Sequence, residues 1–203
     1  MTDKTKTGLP RRAFLGSAAA GMSLLLAGCF GASPLTTYDL TAARAAGSVR
    51  RRSNRTVVVI EPDAVQTYDS ERMVVRDVGG VLSYLPDSQW SDRLPSLIQT
   101  RMVQSFEDAG VPNVGRPSDQ LLVDVVLATD VRAFDVDVAA GQQAVVTLAA
   151  RLIDDVERRV IATRTFTASV PIAKLDGVNA AQSFDIALNE VVRQIIAWTA
   201  ANA

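Results

Sequence analysis

The sequence predicts an α+β fold: a two-layer sandwich whose mostly antiparallel sheet carries its helices on one face, with strand-strand-strand-helix repeated twice. Three observations predict it. Six segments of short β-branched or alternating apolar residues have the period of strands. Two segments, residues 91–109 and about 178–199, carry apolar residues at three- and four-residue steps, the period of helices. Each helical segment follows three strand segments, an order that favours segregated helices and strands over a parallel α/β alternation.

The first strand is Thr56-Val57-Val58-Val59-Ile60, closed by Pro62. An unbroken β-branched run of this kind belongs in a central position, buried on both faces. Arg72-Met73-Val74-Val75-Arg76 and Val81-Leu82-Ser83-Tyr84-Leu85 flank Gly79-Gly80, the pattern of a hairpin. The first helix is expected to start near Ser91, which supplies an N-cap, with Asp92 in the first turn where the helix dipole favours a carboxylate. Its apolar stripe is Leu94, Leu97, Ile98, Met102 and Phe106, Pro95 is tolerable only near the start, and Gly110 and Pro112 end it.

Three alternating strands follow. Leu121, Val123, Val125, Leu127 and Val131 share a face; Ala144, Val146, Leu148, Ala150 and Leu152 repeat the pattern, as do Val160, Ala162, Phe166, Ala168 and Val170. The short link Asp154-Asp155-Val156-Glu157-Arg158 pairs the last two antiparallel. The closing helix buries Phe184, Ala187, Leu188, Val191, Ile195 and Trp198.

Ahead of this lies a different kind of segment. Lys4, Lys6, Arg11 and Arg12 precede a small and apolar run over residues 13–27, then Leu26-Ala27-Gly28-Cys29. Charged n-region, apolar h-region and small-residue cleavage site make a secretory signal over residues 1–28. The ending resembles the lipobox of bacterial lipoproteins, in which the cysteine thiol receives a diacylglycerol and becomes the new N-terminus. Cys29, the chain's one cysteine, is the expected lipidation site. Arg11-Arg12 resembles a twin-arginine export signal, although Pro10 and Gly16 depart from its usual flanks and general secretory export serves equally. Phe30, rather than an Asp, follows the cysteine, which points to the periplasmic face of the outer membrane. Two or more acyl chains give stable anchoring without a membrane span.

The expected organisation is therefore a signal peptide over 1–28, a lipidated tether over 29–55, and one domain over 56–203. The tether holds a short docking element, Tyr38-Asp39-Leu40, and then Arg44, Arg50, Arg51, Arg52 and Arg55, which are expected to be solvated. Removing residues 1–28 takes four basic residues and one acidic residue, leaving 17 and 21 and a net charge near −4. Such a chain has no basic excess for nucleic acid. Histidine is absent, which excludes His-based triads, His metal sites and an imidazole switch. Asp124 and Asp130 lie about 20 Å apart along a strand, too far for paired acid–base work. Asp135 and Asp137 are expected to keep a strand end soluble, and Asp154-Asp155 with Glu157 to form a turn. No nucleophile elbow or phosphate-cradling loop is present, so no enzyme activity, cofactor or metal is expected beyond the covalent lipid.

The lipobox, Tyr38-Asp39-Leu40, Val57-Val58-Val59-Ile60-Glu61-Pro62, Arg72-Met73-Val74-Val75-Arg76, Leu82-Ser83-Tyr84 and Trp90-Ser91-Asp92-Arg93-Leu94-Pro95 together resemble the ABC-type transport auxiliary lipoprotein family. The resemblance runs from about Tyr38 to the C-terminus. It implies a non-enzymatic partner of an MCE-domain protein in an ABC transporter that moves lipid between the inner and outer membranes. It also implies possible homo-oligomers. Trp90, Asp92 and Arg93 have two readings. Trp90 packs as a hydrophobic staple on Leu94 with Arg93 and Asp92 paired locally, or the three anchor a protein partner. Two other functions fit the same sequence: a carrier enclosing an acyl chain between sheet and helices, and a structural envelope lipoprotein.

Overall fold

The computed structural model describes residues 34–44 and 54–203, together with Thr2. Arg11 and Arg12 of the export signal, the lipidation site Cys29, and the tether arginines 50–52 lie outside the described residues. The compact unit is Leu35–Ala203. Along it run β1 (Thr36–Tyr38), β2 (Val57–Val59), β3 (Asp63–Ala64), β4 (Arg72–Arg76), β5 (Leu82–Trp90), α1 (Leu94–Asp108), β6 (Val114–Gly115), β7 (Val125–Asp137), β8 (Gln143–Asp154), β9 (Arg159–Pro171) and α2 (Gly177–Asn202).

Among the described residues all nine strands join one sheet, and β7 is its spine. One edge of β7 pairs antiparallel with β8 from end to end, and β9 adds antiparallel beyond β8. The other edge is shared in succession by β2, β3 and β4, each parallel to β7. β5 then pairs antiparallel with β4, β1 parallel with β5, and β6 parallel with β2. The long ladders are antiparallel and the parallel ones short, so the α+β class with a mostly antiparallel sheet and two helices holds. The strand-strand-strand-helix repeat does not fit the described residues, in which five strands precede α1 and four separate the helices. β1, β3 and β6 span two or three residues each, too few to carry a period.

α1 packs on β2 and β6 and touches α2, while α2 lies on β8 and β9 and reaches β5 and β1. The expected stripes are the ones buried: Leu94, Leu97, Ile98, Met102 and Phe106 on α1, and Phe184, Ala187, Leu188, Val191 and Ile195 on α2. Trp198, expected with them, is only partly buried. Ala144, Val146, Leu148, Ala150 and Leu152 of β8 are fully buried. Each Val, Leu or Phe so buried contributes roughly 1.5–3 kcal/mol.

Three expectations are corrected by local geometry. α1 begins at Leu94, and Ser91 is not its cap; the Ser91 hydroxyl donates to Asp39 Oδ1. Asp92 instead accepts from the Arg93 N–H and from the Ser96 hydroxyl, tying down the first turn. Next, β7 bulges between Val131 and Ala133, leaving exposed Arg132 without a partner residue on β8. A one-residue insertion reverses the alternation beyond it, so Phe134 and Val136 join the face that Leu127 and Val131 occupied. Asp135, expected to be a soluble strand end, is turned off that face, yet Arg76 and Tyr68 cover it there and it is only 1% exposed. Last, β1 docks on β5, and Leu40 and Ala43 are buried, so residues 35–44 belong to the folded unit.

Candidate functional site

Asp39, Glu61, Asp69 and the segment from Trp90 to Leu94, far apart in sequence, meet around the start of α1. The Trp90 N–H donates to the Glu71 carbonyl at 2.7 Å, and the Leu94 N–H to the Ser70 carbonyl at 3.1 Å. These bonds hold Arg93 beside the turn after β3. Its guanidinium pairs with Asp69 and, at 3.1 Å, with Glu61. Asp69 foremost, and Glu61 behind it, hold Arg93 more firmly protonated than an ordinary arginine. The expected side-chain pairing of Arg93 with Asp92 is replaced by this longer-range one. The Asp92 carboxyl is lowered by the Ser96 hydroxyl and then by the Arg93 N–H.

Asp39, just past β1, joins the same surface from the other side. It accepts from Ser91, from Arg101 and from its neighbour Leu40 N–H. Burial pushes its carboxyl up, but the Arg101, Ser91 and Leu40 bonds outweigh it, and the net shift is downward. Thr41 follows, its N–H and hydroxyl both on Asp185 of α2, where Asn189 also donates. Tyr38, Asp39, Thr41, Val178, Gln182 and Asp185 line an open groove of about 270 Å³ between β1 and α2. A polar surface thus runs from Glu61 and Asp69 through Arg93 and Asp39 to Asp185.

Trp90 is not part of that surface. It is 1% exposed and stands edge-on to Phe134 (centroids 5.8 Å) and Phe184 (5.6 Å), which stack on each other at 4.7 Å. The anchor reading placed it at a protein interface; it is the centre of an aromatic cluster joining β5, β7 and α2. Of the three residues expected to meet a partner, Asp92 and Arg93 are exposed and Trp90 is core.

A second polar cluster escaped the sequence reading. Asp135 accepts from Arg76 Nε at 3.1 Å and Arg76 Nη2 at 2.8 Å, and from the Tyr68 hydroxyl. Arg76 Nη2 also donates to the Tyr68 oxygen at 2.7 Å. Burial first, then the Asp135 carboxylate, pushes the Tyr68 hydroxyl up to about 12. Held protonated at neutral pH, Tyr68 is a donor locked onto a carboxylate, an arrangement suited to structure rather than proton transfer. An acidic residue inside an otherwise apolar strand was the available signal.

Among the described residues no group of three or more Asp, Glu, Cys or His side chains is placed to hold a metal ion. Nor is any described helix long and apolar enough to cross a membrane. The comparison with known proteins decides the family: a model of the ABC-type transport auxiliary lipoprotein component matches residues 38–196. The chain belongs to that family. The match runs from the end of β1 into the last turns of α2, nearly the whole folded unit. The crystal structure of a Xanthomonas campestris protein of the DUF330 family is 31% identical, with a TM-score of 0.75 over 81% of this chain and 94% of that one. The crystal structure of an uncharacterised protein shares the fold at 15% identity, with a TM-score of 0.62 over 83% and 97% of the two chains. An uncharacterised protein of Bradyrhizobium diazoefficiens is 29% identical over 164 residues, 80% of this chain and 44% of that protein. The auxiliary lipoprotein chain therefore spans less than half the length of this curated relative.

Proposed function

We propose that the protein is a non-enzymatic periplasmic lipoprotein subunit of an MCE-type ABC transporter. It is lipidated at Cys29, held on the periplasmic face of the outer membrane, and links the MCE component to that membrane. The observation that carries this reading is the family match over residues 38–196, which makes the folded unit as a whole a transport auxiliary component. The polar surface around Arg93 supports a partner role for Asp92 and Arg93, because a half-exposed arginine held by Asp69 and Glu61 presents a fixed fork of donors. Buried alanines at the contact of α2 with the sheet (Ala144, Ala150, Ala180 and Ala187) support close packing over an acyl-chain carrier.

Crosslinking of the tagged full chain in intact cells, followed by mass spectrometry of its partners, tests the proposal. An MCE-domain protein is the expected partner, and its loss in Cys29→Ala is the expected effect of removing the anchor. Recovery of cell-wall or other outer-membrane components alone would replace the reading with a structural envelope role.

A further inference from the structure

We propose that the tip of the β4–β5 hairpin is a membrane-contact finger, resting in the phospholipid surface to which the chain is tethered through Cys29. This contact presupposes the lipid anchor proposed above and adds the face that the domain turns toward the bilayer. Residues 77–84 are exposed without interruption, and they include Val78 (71%), Val81 (62%), Leu82 (42%) and Tyr84 (46%). The turn that presents them is fixed. The Asp77 N–H donates to the Val81 carbonyl at 2.8 Å and the Gly80 N–H to the Asp77 carbonyl at 3.1 Å, with Gly79 and Gly80 both at positive φ. The β7–β8 turn lies alongside, joined by the Val138 N–H to the Arg76 carbonyl at 3.0 Å, and adds exposed Ala139 and Ala140. Contiguous exposed apolar side chains of this kind mark a surface that is covered in use.

The chemistry of the finger and the course of the chain both indicate a lipid surface. Aliphatic side chains lead, and Tyr84 follows on the same strand face as Leu82, about 7 Å behind it. The Arg72 guanidinium stands 5.0 Å from the centre of the Tyr84 ring, and Arg76 lies opposite Leu82 on β4. Aliphatic tip, amphipathic ring and long cationic stems in that order suit the graded polarity of a bilayer interface. Two acidic side chains at this end are turned back onto the turns: Asp77 accepts from the Val78 N–H and Asp137 from the Ala140 N–H. The tether enters from the same end. β1 runs parallel to β5 through Thr36↔Ser88, so the chain before Thr36 leads back along β5 toward the hairpin tip. Six residues separate Cys29 from Leu35, and six separate Val81 from Asp87, the residue before Ser88. An extended segment of that length spans about 20 Å, so an anchor on Cys29 can reach the level of the tip. A protein partner would require no such coincidence with the anchor.

The shape favours contact with a surface over capture of a single lipid molecule. The groove of about 270 Å³ beside β1 and another of about 450 Å³ beside the end of α2 are lined by other residues, and the tip side chains stand out from the fold. Leu122, at 93% still more exposed, precedes the start of β7 at the opposite end of the sheet. It lies about 40 Å from the tip along that strand and serves as an internal reference.

Photocrosslinking of the full chain in intact cells grown on radioactive phosphate tests the finger, with a benzophenone amino acid in place of Val81 or, for reference, of Leu122. The diacylglycerol expected on Cys29 carries no phosphate, so light-dependent label on the protein reports a phospholipid met by the probe. Label is expected from position 81 and not from position 122. It is expected to disappear when irradiation follows solubilisation in detergent, which removes the bilayer. Val78→Ser combined with Leu82→Ser, both at exposed positions, should lower labelling from position 81 at least about tenfold. Equal labelling from both positions, a crosslinked protein in place of phospholipid at position 81, label that survives detergent, or label indifferent to the serine substitutions would each overturn the proposal. The mass of the same purified chain reads the lipid on Cys29 separately. A lipidated chain without label at position 81 would overturn the finger alone, and an unlipidated chain labelled there would overturn the anchored reading alone.

Discussion

Arg76 on β4 and Asp135 on β7 form a two-point ion pair, with both carboxylate oxygens engaged and the carboxylate almost wholly buried. Their strands are parallel neighbours joined through Val74↔Asp135 and Arg76↔Asp137, so the pair braces the point where the hairpin of β4 and β5 attaches to the spine. A buried carboxylate survives only with its lone pairs satisfied, and Arg76 and Tyr68 supply three donors.

Removing the carboxylate leaves the Arg76 charge without its partner. Asp135→Ala is expected to cost about 3 kcal/mol, the lower end for breaking a buried pair because Arg76 is itself partly exposed. Tyr68→Phe, which deletes one donor to a charged acceptor, is expected to cost about 2 kcal/mol. Urea denaturation of the two variants checks both the size and the order; a neutral Asp135→Ala would show that the pair does not brace the hairpin.

The same tyrosine sets an alkaline limit. Its hydroxyl is raised from about 10 in an unfolded chain to about 12 in the fold. A raised value means that the fold binds the proton more tightly, so the contribution is whole below pH 10. It falls as pH rises through 10 to 12, where the unfolded chain releases the proton first. Stability against pH should therefore drop more steeply in this window for the unaltered chain than for Tyr68→Phe. Parallel curves would remove Tyr68 as the cause.

Trp90 and Arg93 are three residues apart and should behave oppositely. Trp90→Ala opens a cavity between Phe134 and Phe184 and is expected to cost about 3–5 kcal/mol. Arg93→Ala removes surface ion pairs and is expected to cost at most about 1 kcal/mol. A stable Arg93→Ala protein with weakened crosslinking to its transport partner would assign the arginine to the interface; undiminished crosslinking would confine it to local structure.

Legibility in the sequence followed the length of each periodic run. The α2 stripe, the hairpin around Gly79-Gly80 and the pairing of β8 with β9 were all foreseen, because each rests on several residues repeating one period or on a glycine turn. β3 and β6 were invisible, since two residues cannot establish an alternation. Asp135 was misassigned because the residues that cover it, Arg76 and Tyr68, are distant in sequence. Arg93 was misassigned for the same reason: Asp69 and Glu61 are distant in sequence, and local spacing favoured Asp92. At the candidate surface the motif residues Asp92 and Arg93 lie at the start of α1, while the partners of Arg93 were set by tertiary contacts.

Gly177 offers a test of how β1 is held. It is the first residue of α2, after the Asp176 cap, and a Cβ built there would meet the Ser88 hydroxyl and, at 2.7 Å, the ring of Tyr38. The side chains of Ser88 on β5 and Tyr38 on β1 lie against the helix start and fill the space a Cβ would take. Gly177→Ala would ordinarily gain from lower unfolded-state entropy, by about 0.4–1 kcal/mol. Here the clash should win, because relieving it requires both the Ser88 hydroxyl and the Tyr38 ring of β1 to shift, and overpacking of this kind costs about 1–3 kcal/mol. The strand is the weaker party, being three residues long and, among the described residues, paired on β5 alone. Amide exchange should therefore accelerate at Thr36–Tyr38 before it does at β8 or the middle of α2. Unchanged exchange at β1 together with raised stability would mean that the close approach does not hold β1 in place.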